Sequence, residues 1–153
     1  MGAFRARAAL GLKVLADNPM VDKTKLAAIG YCYGGTTCLQ LACSGADLKA
    51  IVSFHGGLFK PTAEDAKTIK CKVLICNGAA DTFIQADDRK ALLESFEANK
   101  VDYQFIDYAA AVHAFTNPDA GKAGMNGVAY NEKADKRSWA HMKTLFSEAF
   151  GKK

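Results

Sequence analysis

The sequence has no apolar run approaching the roughly 20 residues that span a bilayer as a helix, so no stretch of it reads as a membrane segment. Nor does it have a basic stripe. Its 20 Lys and Arg stand against 16 Asp and Glu, scattered along 153 residues, for a net charge of +4. That excess is too small and too dispersed for a nucleic-acid footprint. There is no Cys-x-x-Cys pair, and the five cysteines (Cys32, Cys38, Cys43, Cys71 and Cys76) are an odd number. Neither a zinc site nor a disulfide framework follows, and the pattern suits a reducing, cytoplasmic setting. The first residues, MGAFRARAALGLKVLADNP, lack the continuous apolar block of a signal peptide because their apolar positions are periodic. No repeat, low-complexity tract or interdomain linker is visible, and residues 1–153 read as a single domain.

What remains is an ordinary globular composition, half apolar and about a quarter charged. Phe4, Ala8, Leu12 and Leu15 recur at helical spacing, which predicts a helix over 4–16, stopped at Asn18-Pro19. Leu26–Ile29 is a short apolar run between Lys25 and Gly30 and reads as a buried strand. Further strands are predicted at 50–54, 72–76 and 103–108, with helices at 36–43, 86–99 and 131–150. The last helix is expected to present Trp139, Met142, Leu145, Phe146 and Phe150 on one face, with Trp139 as a large apolar anchor. A polar, Gly-rich loop covers 109–130. Strands alternating with helices predict an α/β fold, a mostly parallel sheet of about four strands flanked by helices.

The most specific motif is Gly30-x-Cys32-x-Gly34, placed where a strand should turn sharply into a helix. A nucleophile elbow needs small residues two before and two after the nucleophile, because strand and helix backbones approach closely there. The turn would put Cys32 at a helix N-terminus, where the dipole and unpaired N–H groups favour a thiolate. On its own a GxCxG is no more than a Gly-rich turn with a packed cysteine. Chain order adds weight: Asp81 follows the third strand and His113 the fourth, and nucleophile, acid, base is the order of α/β-hydrolases. His113 could take the thiol proton and Asp81 could fix its tautomer. Each alone reads equally as a capping Asp or a solvated loop His; together they make Cys32, Asp81 and His113 a candidate triad. The Tyr33 backbone N–H is the candidate oxyanion donor. Tyr31, His55 and Phe115 are candidate substrate-binding positions, although His55, in Phe-His-Gly-Gly, also reads as a turn residue. Cys38 is expected in the core and His141 in solvent.

GYCYGG, VLICNGAAD, HAFTNP and YNEKADKRSW resemble the dienelactone hydrolase family, in its carboxymethylenebutenolidase-like branch, and the resemblance runs from Leu10 to Phe150. It implies hydrolysis of a small-molecule ester or lactone through a cysteine acyl-enzyme in the cytoplasm, with no metal and no organic cofactor. It also implies that the chain is the C-terminal portion of an α/β-hydrolase. The strands that precede the nucleophile strand in the family, and the loop that supplies a second oxyanion N–H, have no counterpart here. The loop after His113 reads Thr116-Asn117-Pro118 and holds no Arg before Arg137, unlike the arginines that grip a substrate carboxylate in dienelactone hydrolases. The alternative function is a truncated, non-catalytic relic or one half of a split hydrolase. An edge left open beside Leu26–Ile29 predicts a homodimer, or a complementing N-terminal-half chain as partner.

Overall fold

Ala50–Phe54 and Lys72–Gly78 are apolar on both faces of the pleat, and both strands are covered on both sides. The computed structural model describes residues 2–151. It has a four-stranded, all-parallel sheet in the order β1 (Ala27–Tyr31), β2 (Ala50–Phe54), β3 (Lys72–Gly78) and β4 (Tyr103–Tyr108). The described residues also form helices α1 (Gly2–Ala16), α2 (Tyr33–Ala42), α3 (Ala63–Thr68), α4 (Ala86–Ala98) and α5 (Glu132–Phe150), with a short 3-10 turn at Lys23–Lys25 before β1.

Side chains alternate across the sheet, so each central strand feeds two cores. Ile51, Val73 and Ile75 point to one face, where they meet Cys38, Leu39 and Leu41 of α2 and Leu92 and Phe96 of α4. Ala50, Val52, Leu74 and Cys76 point to the other, where Met142 and Leu145 of α5 cover them. Phe54, Phe96 and Phe115 are the largest wholly buried side chains, each contributing about 1.5–3 kcal/mol by removal from water. Parallel strands need such two-sided cover, and the near-continuous apolar runs of β2 and β3 supply it.

The helix ends follow local chemistry. The Asn131 side chain accepts from the Ala134 N–H at the start of α5, and Thr62 and Asp65 form a reciprocal capping box on α3. One helix is not legible in the sequence, and two expectations are corrected. The short helix α3 lies in what reads as a connection, because six residues without an apolar stripe give no period to detect. The first strand forms the expected open edge but is less buried than its apolar run suggests: Leu26, just before it, is buried, and Ile29 within it is 42% exposed. Among the described residues no strand pairs with its outer side. Trp139 is 45% exposed and is not among the buried residues of α5. The buried line of α5 is Ala134, Ser138, Met142 and Leu145, a face marked by the small residues that let a helix approach a sheet closely.

Candidate active site

β1 ends at Tyr31 and α2 begins at Tyr33, leaving a single residue, Cys32, to make the turn. It does so with φ 51° and ψ −118°, a left-handed backbone that a side-chain-bearing residue adopts only under constraint. The Cys32 carbonyl accepts from the Gly35 and Thr36 N–H groups, closing the first turn of α2. The Tyr33 N–H, at the first helical position, has no carbonyl four residues back within the helix to receive it. It sits at the positive end of the helix dipole.

Cys32 is the one exposed cysteine. The other four are buried, and burial pushes the thiols of Cys38, Cys43 and Cys76 up to about 12 and that of Cys71 to about 11. The structure thus separates one accessible sulfur from four that pack as small hydrophobes.

The ends of β3 and β4 bring two further groups to this sulfur. His113 Nε2 lies 3.0 Å from Cys32 Sγ, and His113 Nδ1 lies 2.9 Å from Asp81 Oδ2. The Asp81 side chain has no exposed surface, and its other oxygen accepts the Phe83 N–H at 2.9 Å. A buried carboxylate can only accept, so Nδ1 carries the hydrogen of the neutral imidazole and Nε2 is left as the acceptor facing the thiol. The His113 loop is held by its own backbone, with the His113 N–H donating to the Gly127 carbonyl. The Phe83 ring stands edge-on to the imidazole at 5.2 Å.

Of the three candidate substrate-binding positions, only Tyr31 presents a surface, being 41% exposed and stacked on Phe54. Phe115 is wholly buried against His55 and Tyr108. His55 is 3% exposed and lies beneath the cysteine turn. Neither of these two rings can touch a ligand in this arrangement, so their assignment is corrected from binding to packing. Thr116 and Phe83 are site neighbours that sequence reasoning did not single out, though Thr116 stands in the HAFTNP segment beside His113. His141, expected in solvent, is exposed yet bonds the Tyr108 hydroxyl through Nδ1 at 2.7 Å.

Burial, reinforced by the neighbouring His113, pushes the His55 imidazolium down to about 4. Its ordinary value in an unfolded chain is about 6.5, so between those two values the unfolded state binds the extra proton. Stability is then fully present above pH 6.5 and is lost as the pH falls toward 4, by about 3 kcal/mol in all. Asp65, held down to about 2 chiefly by its hydrogen bond from Arg5, acts in a lower window, so the two effects separate. Denaturant unfolding at pH 7, 5.5 and 4.5 should show this decline, and His55→Asn should flatten it. Parallel declines in the two proteins would rule out His55 as the cause.

Among the described residues no group of three or more His, Cys, Asp or Glu side chains is placed to hold a metal ion, and no helix is long and apolar enough to cross a membrane. A cavity of about 460 Å³ opens beyond Asp81, between the end of β3 and Leu93 on α4, but neither Cys32 nor His113 lines it. The sulfur is exposed instead, with the His113 side chain, 15% exposed, beside it.

A parallel sheet covered on both faces, with a strained turn between its first strand and the next helix, is the architecture of an α/β-hydrolase. Within that class the chain belongs to the dienelactone hydrolase family, whose sequence profile matches residues 2–150. It is 32% identical to an uncharacterized protein of Caenorhabditis elegans over 151 residues, covering 97% of this chain and 96% of that one. It is 28% identical over 130 residues to a carboxymethylenebutenolidase of a Pseudomonas species, covering 85% of this chain and 49% of the relative. The crystal structure of a dienelactone hydrolase-like promiscuous phosphotriesterase from metagenomic libraries superimposes with a TM-score of 0.92 at 49% identity, over 95% of this chain and 61% of that one. The chain thus spans about half the length of the curated carboxymethylenebutenolidases it matches.

Proposed function

We propose that this chain carries the reacting groups of an ester or lactone hydrolase that works through an acyl-enzyme on Cys32. The observation behind this reading is the continuous contact from Cys32 Sγ through His113 to Asp81, at 3.0 and 2.9 Å. His113 Nε2 takes the thiol proton as sulfur attacks the carbonyl carbon. The developing oxyanion receives the Tyr33 N–H, and Asp81 offsets the imidazolium. The leaving alcohol departs with the proton from Nε2. Water, deprotonated by the same nitrogen, then cleaves the thioester and restores the thiol. Tyr31, the one exposed aromatic at the end of β1, borders the acyl site.

The reading predicts slow release of p-nitrophenolate from p-nitrophenyl acetate, with a 42-dalton acetyl adduct (~42 from the acyl group transferred) on the peptide that contains Cys32. An adduct on another cysteine, or none, would count against it. A second reading rests on the phosphotriesterase similarity: the same sulfur attacks the phosphorus of an activated phosphotriester and expels its aryl alcohol. Paraoxon in a parallel reaction, leaving a diethylphosphoryl group on Cys32, would favour it.

One oxyanion donor, the Tyr33 N–H, is assigned among the described residues, and a single donor is worth about 10²- to 10³-fold in turnover. The rival reading, a relic or one half of a split enzyme, predicts correspondingly little turnover. The exposed outer side of β1 suits pairing with a second copy of this chain or with a complementing N-terminal half. Sedimentation velocity at micromolar concentration should show a dimer. A stable monomer would remove the homodimer and leave the complementing chain as the partner to seek.

A further inference from the structure

We infer that His55 is a positioning residue: its ring ties the turn that carries Cys32 to the loop that carries His113, and so holds sulfur and imidazole at reacting distance. The inference rests on reading Cys32 and His113 as the reacting pair. His55 Nδ1 accepts the Cys32 N–H at 3.2 Å, and His55 Nε2 meets the Thr116 hydroxyl at 2.8 Å. A backbone N–H can only donate, so Nδ1 is unprotonated and Nε2 carries the hydrogen toward Thr116. Both ring nitrogens are therefore committed, one to each side of the site.

The Cys32 N–H also donates to the Phe54 carbonyl at 3.0 Å, so the ring is not needed merely to satisfy that group. What it adds is a link onward to Thr116, 61 residues beyond His55 in the chain. Thr116 stands three residues beyond His113, and the residue between it and Ala114, Phe115, is wholly buried. The His55 ring also meets the edges of His113, at 5.3 Å between centroids, and of Phe115, at 5.2 Å. Its own backbone is rigid: φ is 39°, and its N–H donates to the Cys76 carbonyl at 2.8 Å. The charged or titratable groups facing it are Cys32, His113, Asp81 and Tyr31. An ordinary core histidine would need its volume here. A strut needs both of its bonds.

The test separates volume from bonding. Thr116→Val keeps the shape and removes the hydroxyl that receives Nε2–H. His55→Asn keeps an acceptor at the Nδ1 position but is too short to reach Thr116. The readout is the rate of Cys32 alkylation by iodoacetamide, which needs no ester turnover, together with kcat and KM for the aryl ester. Each variant should slow alkylation and kcat about tenfold with KM unchanged, and the double variant should be no slower than either single one, since both break the same link. Long-range proton–nitrogen NMR of the wild type should show His55 as the Nε2–H tautomer. Alkylation within twofold of wild type in Thr116→Val, a double variant as slow as the product of the singles, or the Nδ1–H tautomer would overturn the inference. Slowed alkylation in a protein that turns over no ester would leave the positioning role standing and remove the hydrolytic reading. Normal alkylation in variants of an active hydrolase would do the reverse. Should His55→Asn fail to fold, the near-isosteric Thr116→Val decides alone.

Discussion

Cys32→Ala and His113→Ala should each lower ester turnover by about 10⁴-fold, and the double variant should be no slower than either. The expectation follows from one proton path. Without His113 the thiol has no acceptor at 3.0 Å, and without the thiol His113 has nothing to activate. Each single loss therefore removes the whole pathway rather than a share of it. Asp81→Asn should come close to the same effect with the fold intact. Its two oxygens accept two fixed donors, His113 Nδ1–H and the Phe83 N–H. An amide can satisfy only one of them, and the imidazole then turns its hydrogen toward sulfur, where an acceptor is needed. Steady-state rates with p-nitrophenyl acetate, corrected for hydrolysis without protein, would decide. Independent, multiplicative losses would show that the three residues do not act as one unit.

Gly30→Ala should cost more than about 4 kcal/mol, in the range reserved for severe overpacking. Gly34→Ala should be nearly neutral. The motif treats the two glycines alike, but the structure does not. A Cβ on Gly30 would lie 2.1 Å from the Gly34 carbonyl oxygen and 2.2 Å from its carbon, whereas one on Gly34 would meet nothing within 4 Å. Backbone cannot step aside as a flexible side chain can, so the substitution at Gly30 must pry α2 off β1 at the turn itself. Urea unfolding of the two variants tests the asymmetry. Equal losses would mean that the turn relaxes as a unit and that the close approach is not what excludes a side chain.

The two glycines show how far the residue pattern reaches. Four strands, their order of appearance and four of the helices are legible because apolar runs and 3.6-residue periods report burial directly. The convergence of Cys32, Asp81 and His113 is legible from strand ends and chain order. The environment of His55 is not, because its partners come from Cys32 and Thr116, far apart in sequence, and no local spacing encodes them. Phe115 beside His113 invites a binding role for the same reason: exposure depends on which way a loop turns. Trp139 misleads because a large apolar residue draws the eye to its helix face, while the face that packs is set by Ala134 and Ser138. At β1 the apolar run gives the strand but overstates its burial, because among the described residues its outer side is unpaired and Ile29 is exposed there.

Strand order in the sheet equals strand order in the chain. On the ribosome each new strand emerges beside a neighbour already made, so the sheet can grow in one direction without waiting for a later segment to fill a gap. The site does not share this economy. Its imidazole follows its sulfur by 81 residues in the chain, which is several seconds at ordinary elongation rates. Throughout that interval the nascent chain holds an accessible thiol with no base beside it. On the proposed reading the thiol gains its base only when β4 joins the sheet, so a half-made chain does not carry an activated sulfur open to adventitious acylation.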